Sequence, residues 1–306
     1  MWFLVAIFGY LLLAIVLVLD KIILTKNVGR PVVYAFYSTI FMLGAFLIYP
    51  FGVQNLMGMD WVIAIVSGLS FGFALWTMYL AVARGEASHI DPFIGGVVTI
   101  FTFLLSSFYL GEGLSNTQML GIGILLFASF LLSFEKTKQH SGFHVGFLWA
   151  ILSGILFAIS HVSAKYIYTT YDFLSGFVWT RGFVGFVAFF ALLSPAVWKT
   201  FSPSRKKDKK AQYLQNRKRK FTVILVTINK IIGVVAVICV QFSSSIGKTA
   251  PVFAMTGVQY ALMFFMIYGL TRVSPRILKE YFTRRELIIE TIAIIFVVVG
   301  SALFVL

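Results

Sequence analysis

Apolar residues run through this chain in ten near-continuous blocks separated by short polar connections. The blocks are Phe3–Ile23, Val32–Tyr49, Trp61–Ala83, Ile90–Tyr109, Gln118–Phe134, Val145–Tyr168, Phe173–Ala191, Phe221–Phe242, Val252–Leu270 and Leu287–Leu306. None alternates polar and apolar positions at period two, which excludes a membrane β-barrel. Each approaches the ~20 apolar residues a helix needs to cross a bilayer, so the pattern predicts ten transmembrane helices. Composition points the same way: 59% of residues are hydrophobic and 12% charged, against ~25% charged in a soluble domain. The fold class expected is an all-α integral membrane protein. The first block lacks a basic lead-in and a small-residue cleavage site, so it is expected to be a span and not a signal peptide. Cys239 is the single cysteine, which excludes an intrachain disulfide and a cysteine metal site.

The polar positions between blocks carry a strong bias. The net charge is +14, and 21 of the 25 Lys and Arg residues fall in odd-numbered connections. The densest stretch, 198–220, runs from Lys199 to Lys220 with ten cations. Basic connections stay cytoplasmic, so both termini are expected outside a cell membrane and the 198–220 loop inside. That loop could also attract anionic lipid headgroups at ~1 kcal/mol per cation. Through its most basic part, 205–220, Tyr213 is the single aromatic, which argues against nucleic acid as a partner.

Ten blocks divide into two sets of five, residues 1–135 and 136–306. An odd-numbered set, once repeated, leaves the halves upside down relative to each other. Such inverted repeats are a transporter architecture, with the ligand site near mid-membrane where the halves meet. Matching landmarks occur in order along both halves. Lys21-Ile-Ile-Leu-Thr25 corresponds to Lys165-Tyr-Ile-Tyr-Thr169, and the glycine of Ala83-Arg-Gly-Glu-Ala-Ser88 corresponds to Gly247 of Ser245-Ile-Gly-Lys-Thr-Ala250.

Ala83-Arg-Gly-Glu-Ala-Ser88, a following span, then Leu110-Gly-Glu-Gly-Leu-Ser115, Gln118 and Gly121 resemble the EamA-type repeat of the drug/metabolite transporter superfamily. The likeness is specific in residues 1–135; in the second half the Leu-Gly-Glu position reads Tyr268-Gly-Leu-Thr-Arg272. Arg181 matches an arginine often found in the second helix of such a repeat, and Glu112 is the acid of the Leu-Gly-Glu motif. The resemblance implies two five-helix bundles around a central cavity, with the fifth and tenth helices at the periphery. It implies transport of amino acids, metabolites, nucleotide-sugars or drugs, without choosing among them.

Polar groups inside spans are costly and mark cavities or partners. Arg181 and Lys230 lie about eight and nine residues into their blocks, near mid-membrane at 1.5 Å per residue. With His161 they could bind an anionic group through charge-assisted hydrogen bonds. Alternatively Arg181 caps backbone carbonyls and Asp20 pairs with Lys21 or Lys165. Gln241 and Gln259 are cavity candidates, because an amide gains nothing from facing lipid. Trp76, Tyr79 and Tyr260 are aromatic candidates for the same wall. Gly95 and Gly96 are expected either to hinge the fourth helix or to let another helix pack closely. Gly68 and Gly72 form a GxxxG spacing that brings helices together.

No HExxH, Gly-x-Ser-x-Gly or P-loop occurs, so neither an enzyme nor a cofactor is expected. The leading expectation is a gradient-driven transporter of a small polar or anionic metabolite, such as an amino acid or organic acid. The alternatives are a flippase-like carrier of a lipid-linked phosphate headgroup and a non-transporting membrane scaffold or sensor.

Overall fold

A backbone in lipid must satisfy its own hydrogen bonds, and continuous apolar blocks do so as helices. The computed structural model describes residues 1–23, 30–84, 87–132, 145–201, 209–273 and 284–303, and no strand occurs among them. The helices are α1 (Trp2–Ile22), α2 (Pro31–Phe51), α3 (Asp60–Val82), α4 (Ala87–Tyr109), α5 (Asn116–Leu132), α6 (Val145–Thr170), α7 (Phe173–Leu192), α8 (Lys209–Ile246), α9 (Thr249–Val273) and α10 (Arg284–Ala302). A short helix, Pro195–Phe201, follows α7.

Eight of these are long and apolar enough to cross a membrane: α1 to α4 and α6 to α9. The chain is therefore an all-helical, multi-pass membrane protein. In α5 and α10 the apolar stretches are shorter, Asn116–Leu131 and Leu287–Ala302. The expected spans there end at Phe134 and Leu306, which lie outside the described residues, as do Gly85, loop residues 202–208 and the basic stretch 274–283.

The structure corrects the expectation that 198–220 is a loop. From Lys209 onward it is the first part of α8, in helical continuity with the apolar span. The physical reason is composition: Lys, Arg, Ala, Gln and Leu are strong helix formers, and no Gly or Pro interrupts them.

Two helices are not uniform. The second half of α2, Phe41–Phe51, tightens into a 3₁₀ helix, and α7 does the same over Phe183–Phe186. These segments pack on each other. Near its start α4 carries Pro92, and α9 carries Pro251, with α9 interrupted at Met255. Pro251 is the third residue of its helix, where an amide has no intrahelical acceptor to lose, whereas Pro92, the sixth residue of α4, lies just beyond that first turn.

The tightest packing joins α3 to α6 and α1 to α8, with α4 on α6, α9 on α1, α2 on α7, and α5 on α10. Small residues make the approach possible. The Ser67 hydroxyl donates to the Ser160 carbonyl at 2.9 Å, and Ser153 to the Ala74 carbonyl at 2.9 Å, stitching α3 to α6. Gly68 faces α7 so closely that a Cβ would sit 2.4 Å from Phe183 Cβ and 2.9 Å from the Thr180 carbonyl. This is the close contact expected of the GxxxG spacing.

Polar contacts tie the bundle at both ends. At the end holding Trp2, the Ser243 hydroxyl donates to the Trp2 carbonyl at 2.7 Å. There the Glu112 carboxylate accepts from the Thr249 amide at 2.9 Å and its hydroxyl at 2.8 Å, capping the start of α9. An acid at a helix N-terminus is favoured by the unpaired amides and the macrodipole. Lys165 supplies the converse at the end of α8, donating to the carbonyls of Ser244, Ser245 and Gly247 at 2.8, 3.1 and 2.7 Å. At the opposite end Arg84 lies over the Trp149 ring, 5.6 Å from its centroid.

Candidate functional site

Between the helices lies a cavity of about 170 Å³, lined by residues of α1, α2, α3, α4, α6, α8 and α9. No lining residue comes from α5, α7 or α10. Most of the wall is aliphatic or aromatic, as in small-molecule sites generally. The polar groups fall into three clusters.

The first centres on Asp20, near the end of α1. Its Oδ1 accepts from the Tyr34 hydroxyl and from Asn229 Nδ2, and forms an ion pair with Lys230 Nζ at 3.4 Å. The Tyr79 hydroxyl lies 3.4 Å from Oδ2 and 3.0 Å from the Ser38 hydroxyl. The Lys230 ammonium also lies over the Tyr34 ring, 4.3 Å from its centroid, and 5.8 Å from that of Tyr79. Three elements of residues 1–135 thus converge on one turn of α8. Asp20 was expected to pair with Lys21 or Lys165; its cation is Lys230 instead. Lys165 is occupied by the α8 carbonyls, where a cation complements the helix terminus.

The second cluster lies around His161 on α6. The imidazole stacks on the Phe253 ring, with centroids 3.7 Å apart at 11°. Gln241 Nε2 is 3.5 Å from His161 Nδ1, and the Tyr168 hydroxyl donates to Gln241 Oε1 at 3.2 Å. The third consists of Asp91, Gln259 and Tyr260, all buried and all on the cavity wall.

Of the residues singled out from sequence, Lys230, His161, Tyr79, Gln241, Gln259, Tyr260 and Asp20 line the cavity. Trp76 and Arg181 do not. Trp76 stacks on Phe73 instead, with centroids 6.3 Å apart. Arg181 is fully buried, its Cζ 4.5 Å from the centroid of Phe71, and it caps no carbonyl. Gly95 is a packing site: a Cβ there would meet the Tyr260 ring at 2.1 Å, whereas at Gly96 the nearest atom is 3.6 Å away. Glu112, Lys21 and Lys165 lie off the cavity wall.

The sequence candidates of the second half on the cavity wall include the basic side chains Lys230 and His161, and the two carboxylates there, Asp20 and Asp91, come from the first half. Asp91, with 3% of its surface exposed, belongs to the interior. Tyr34 and Ser38 had no clear signal, because one or two polar atoms on an otherwise apolar block do not announce their side of the helix.

No family model matches the chain, and no curated protein is significantly similar to it. Solved structures do share its fold. A protein known from its crystal structure superposes with a TM-score of 0.64 over 99% of this chain and 97% of its own, at 16% identity. That likeness is one of fold alone, and a fold hosts many functions.

Proposed function

We propose that this chain is a gradient-driven secondary transporter of a small polar or anionic metabolite, an amino acid or organic acid. In this reading all ten apolar helices cross the membrane, and residues 1–135 and 136–306 are inverted repeats that alternate access to the central cavity. The likeness of the first half to the EamA-type repeat favours the same reading.

Packing supports the duplication. Exchange each of α1 to α5 for the helix five places on, and the principal contacts map onto one another. The α3–α6 contact becomes α8–α1, α4–α6 becomes α9–α1, and the α2–α7 and α5–α10 contacts map onto themselves. Pro92 and Pro251 then occupy equivalent helix starts, and the 3₁₀ segments of α2 and α7 are equivalent too. Interrupted helices at matched places are a mark of transporter repeats. The charge bias orients this bundle with both termini outside and the basic stretch 198–220 cytoplasmic, where anionic lipid would meet it.

The observation that carries the proposal is the Asp20–Lys230 pair. It joins the two halves on the cavity wall, with side-chain exposures of 7% and 11%. A buried ion pair adds little net stability, while intramembrane charges mark substrate and ion paths. A ligand with a carboxylate, or with charges of both signs, can take over part of this pairing without leaving either group bare.

A thermal-shift screen over amino acids, organic acids and sugar phosphates would find the ligand, and its uptake would then be followed in proteoliposomes. Asp20→Asn and Lys230→Met are each expected to lower the initial rate at least about tenfold, the loss of ~1.4 kcal/mol or more. Wild-type rates in both variants would sink the proposal.

A further inference from the structure

Arg181 has a surface exposure of 0%, and its Nε, Nη1 and Nη2 atoms all lack a hydrogen-bond acceptor. A buried charge without a partner is among the costliest arrangements in a protein. Among the described residues no carboxylate pairs with it. Its company is the Phe71 ring, the Tyr168 hydroxyl within electrostatic reach, and His161, on which its charge also acts.

The guanidinium is one side chain away from the cavity. Phe71, His161 and Gln241 all line the cavity, and each is also linked to the surroundings of Arg181. Phe71 covers the guanidinium. The Tyr168 hydroxyl is 3.4 Å from the hydroxyl of Thr180, which precedes Arg181, and donates to Gln241, whose amide reaches toward His161. Arg181 thus has one neutral hydroxyl, that of Tyr168, within electrostatic reach, and no anion among the described residues to balance its charge.

We infer that Arg181 is the carboxylate subsite of the central cavity, reached by a carboxylate of the transported molecule when the Phe71 ring turns aside. The guanidinium fork matches a carboxylate with two parallel hydrogen bonds, which a point-charge ammonium cannot reproduce. The inference rests on the transport reading for the origin of the carboxylate; binding itself is measured separately. A free halide ion shares the charge but not the planar, two-oxygen geometry.

The test uses the full chain in detergent, with thermal unfolding followed while sodium formate or sodium chloride replaces sodium methanesulfonate at fixed ionic strength. Formate at about ten times its dissociation constant should raise the unfolding midpoint of the wild type by about 3 °C. Arg181→Met should abolish that shift, and Phe71→Ala should lower the formate concentration that produces it. If Arg181→Met does not fold, Arg181→Lys decides: its formate titration should be about tenfold weaker, and an unchanged titration overturns the inference. No response of the wild type to formate overturns it, as does a shift that survives in Arg181→Met. A shift from chloride alone also overturns it, because the site then belongs to a resident halide. Formate binding without transport of any carboxylate would remove the transport reading and leave this site standing. Transport unaffected by Arg181→Met would do the reverse.

Discussion

Asp20 and Lys230 stand 210 positions apart and meet at 3.4 Å. Removing one partner strands the other charge in an apolar wall, which costs about 3 kcal/mol or more in buried pairs. Removing both leaves two neutral side chains that pack without penalty. The double variant Asp20→Asn/Lys230→Met should therefore unfold closer to the wild-type temperature than either single variant, while staying inactive in transport. Additive losses of stability would show that the pair is not coupled. The sequence marks each of these residues as an expensive polar group inside a span, and that much was legible. The partner was not, because neighbours in sequence such as Lys21 are the ones a linear reading can see. Trp76 shows the same limit: it lies three residues from Tyr79, yet Tyr79 reaches the cavity and Trp76 turns to Phe73.

Helices were the most legible level, since an uninterrupted apolar block in lipid has few alternatives to a helix. What the blocks did not disclose is where a helix changes character. The 3₁₀ stretches of α2 and α7 face each other, and a Cβ at Gly182 or Gly185 would overlap Phe46 or Leu43 of α2 at 2.5 or 2.4 Å. Their winding is a property of the pair of helices and not of either sequence. The glycines separate the same way. At Gly68 the obstruction is the Phe183 and Thr180 backbone, which cannot swing away, whereas Gly96 has ordinary clearance. Gly68→Ala should destabilise the fold by roughly 1–3 kcal/mol through overpacking. Gly96→Ala should be neutral or stabilising by up to ~1 kcal/mol, the helix propensity gained. Thermal unfolding of the two variants side by side checks this, and equal midpoints would contradict it. The helical start of α8 at Lys209 could have been read from its helix formers; charge density obscured it.

For the molecule as a whole, the proposed duplication rests in the sequence on scattered pairs of landmarks and in the structure on a pattern of helix contacts. Fine detail differs. Gly247, one of those landmarks, has no positive φ; its place is fixed by closeness to Trp2, whose ring a Cβ would meet at 3.1 Å. The proposed orientation rests on the loop charges alone, and it makes a prediction at this scale. In a Cys239→Ser background, a cysteine at position 208 should resist an impermeant thiol reagent applied to intact cells and react once they are permeabilised. Labelling of intact cells would reverse the orientation.

The end ties have a further consequence. Glu112 on the start of α9 and Ser243 on Trp2 join the halves on one side of the cavity, and Asp20 with Lys230 and Asn229 joins them on the other. In the proposed alternating-access reading these ties are two doors that are never open together, and they are fastened differently. One latch is a carboxylate on backbone amides; the other sets charge against charge across the seam. The second is the more deeply buried, so salt screens it little. In that reading an unfastened Asp20 leaves the far door shut, so a defect on that side admits traffic to the chamber without making a leak.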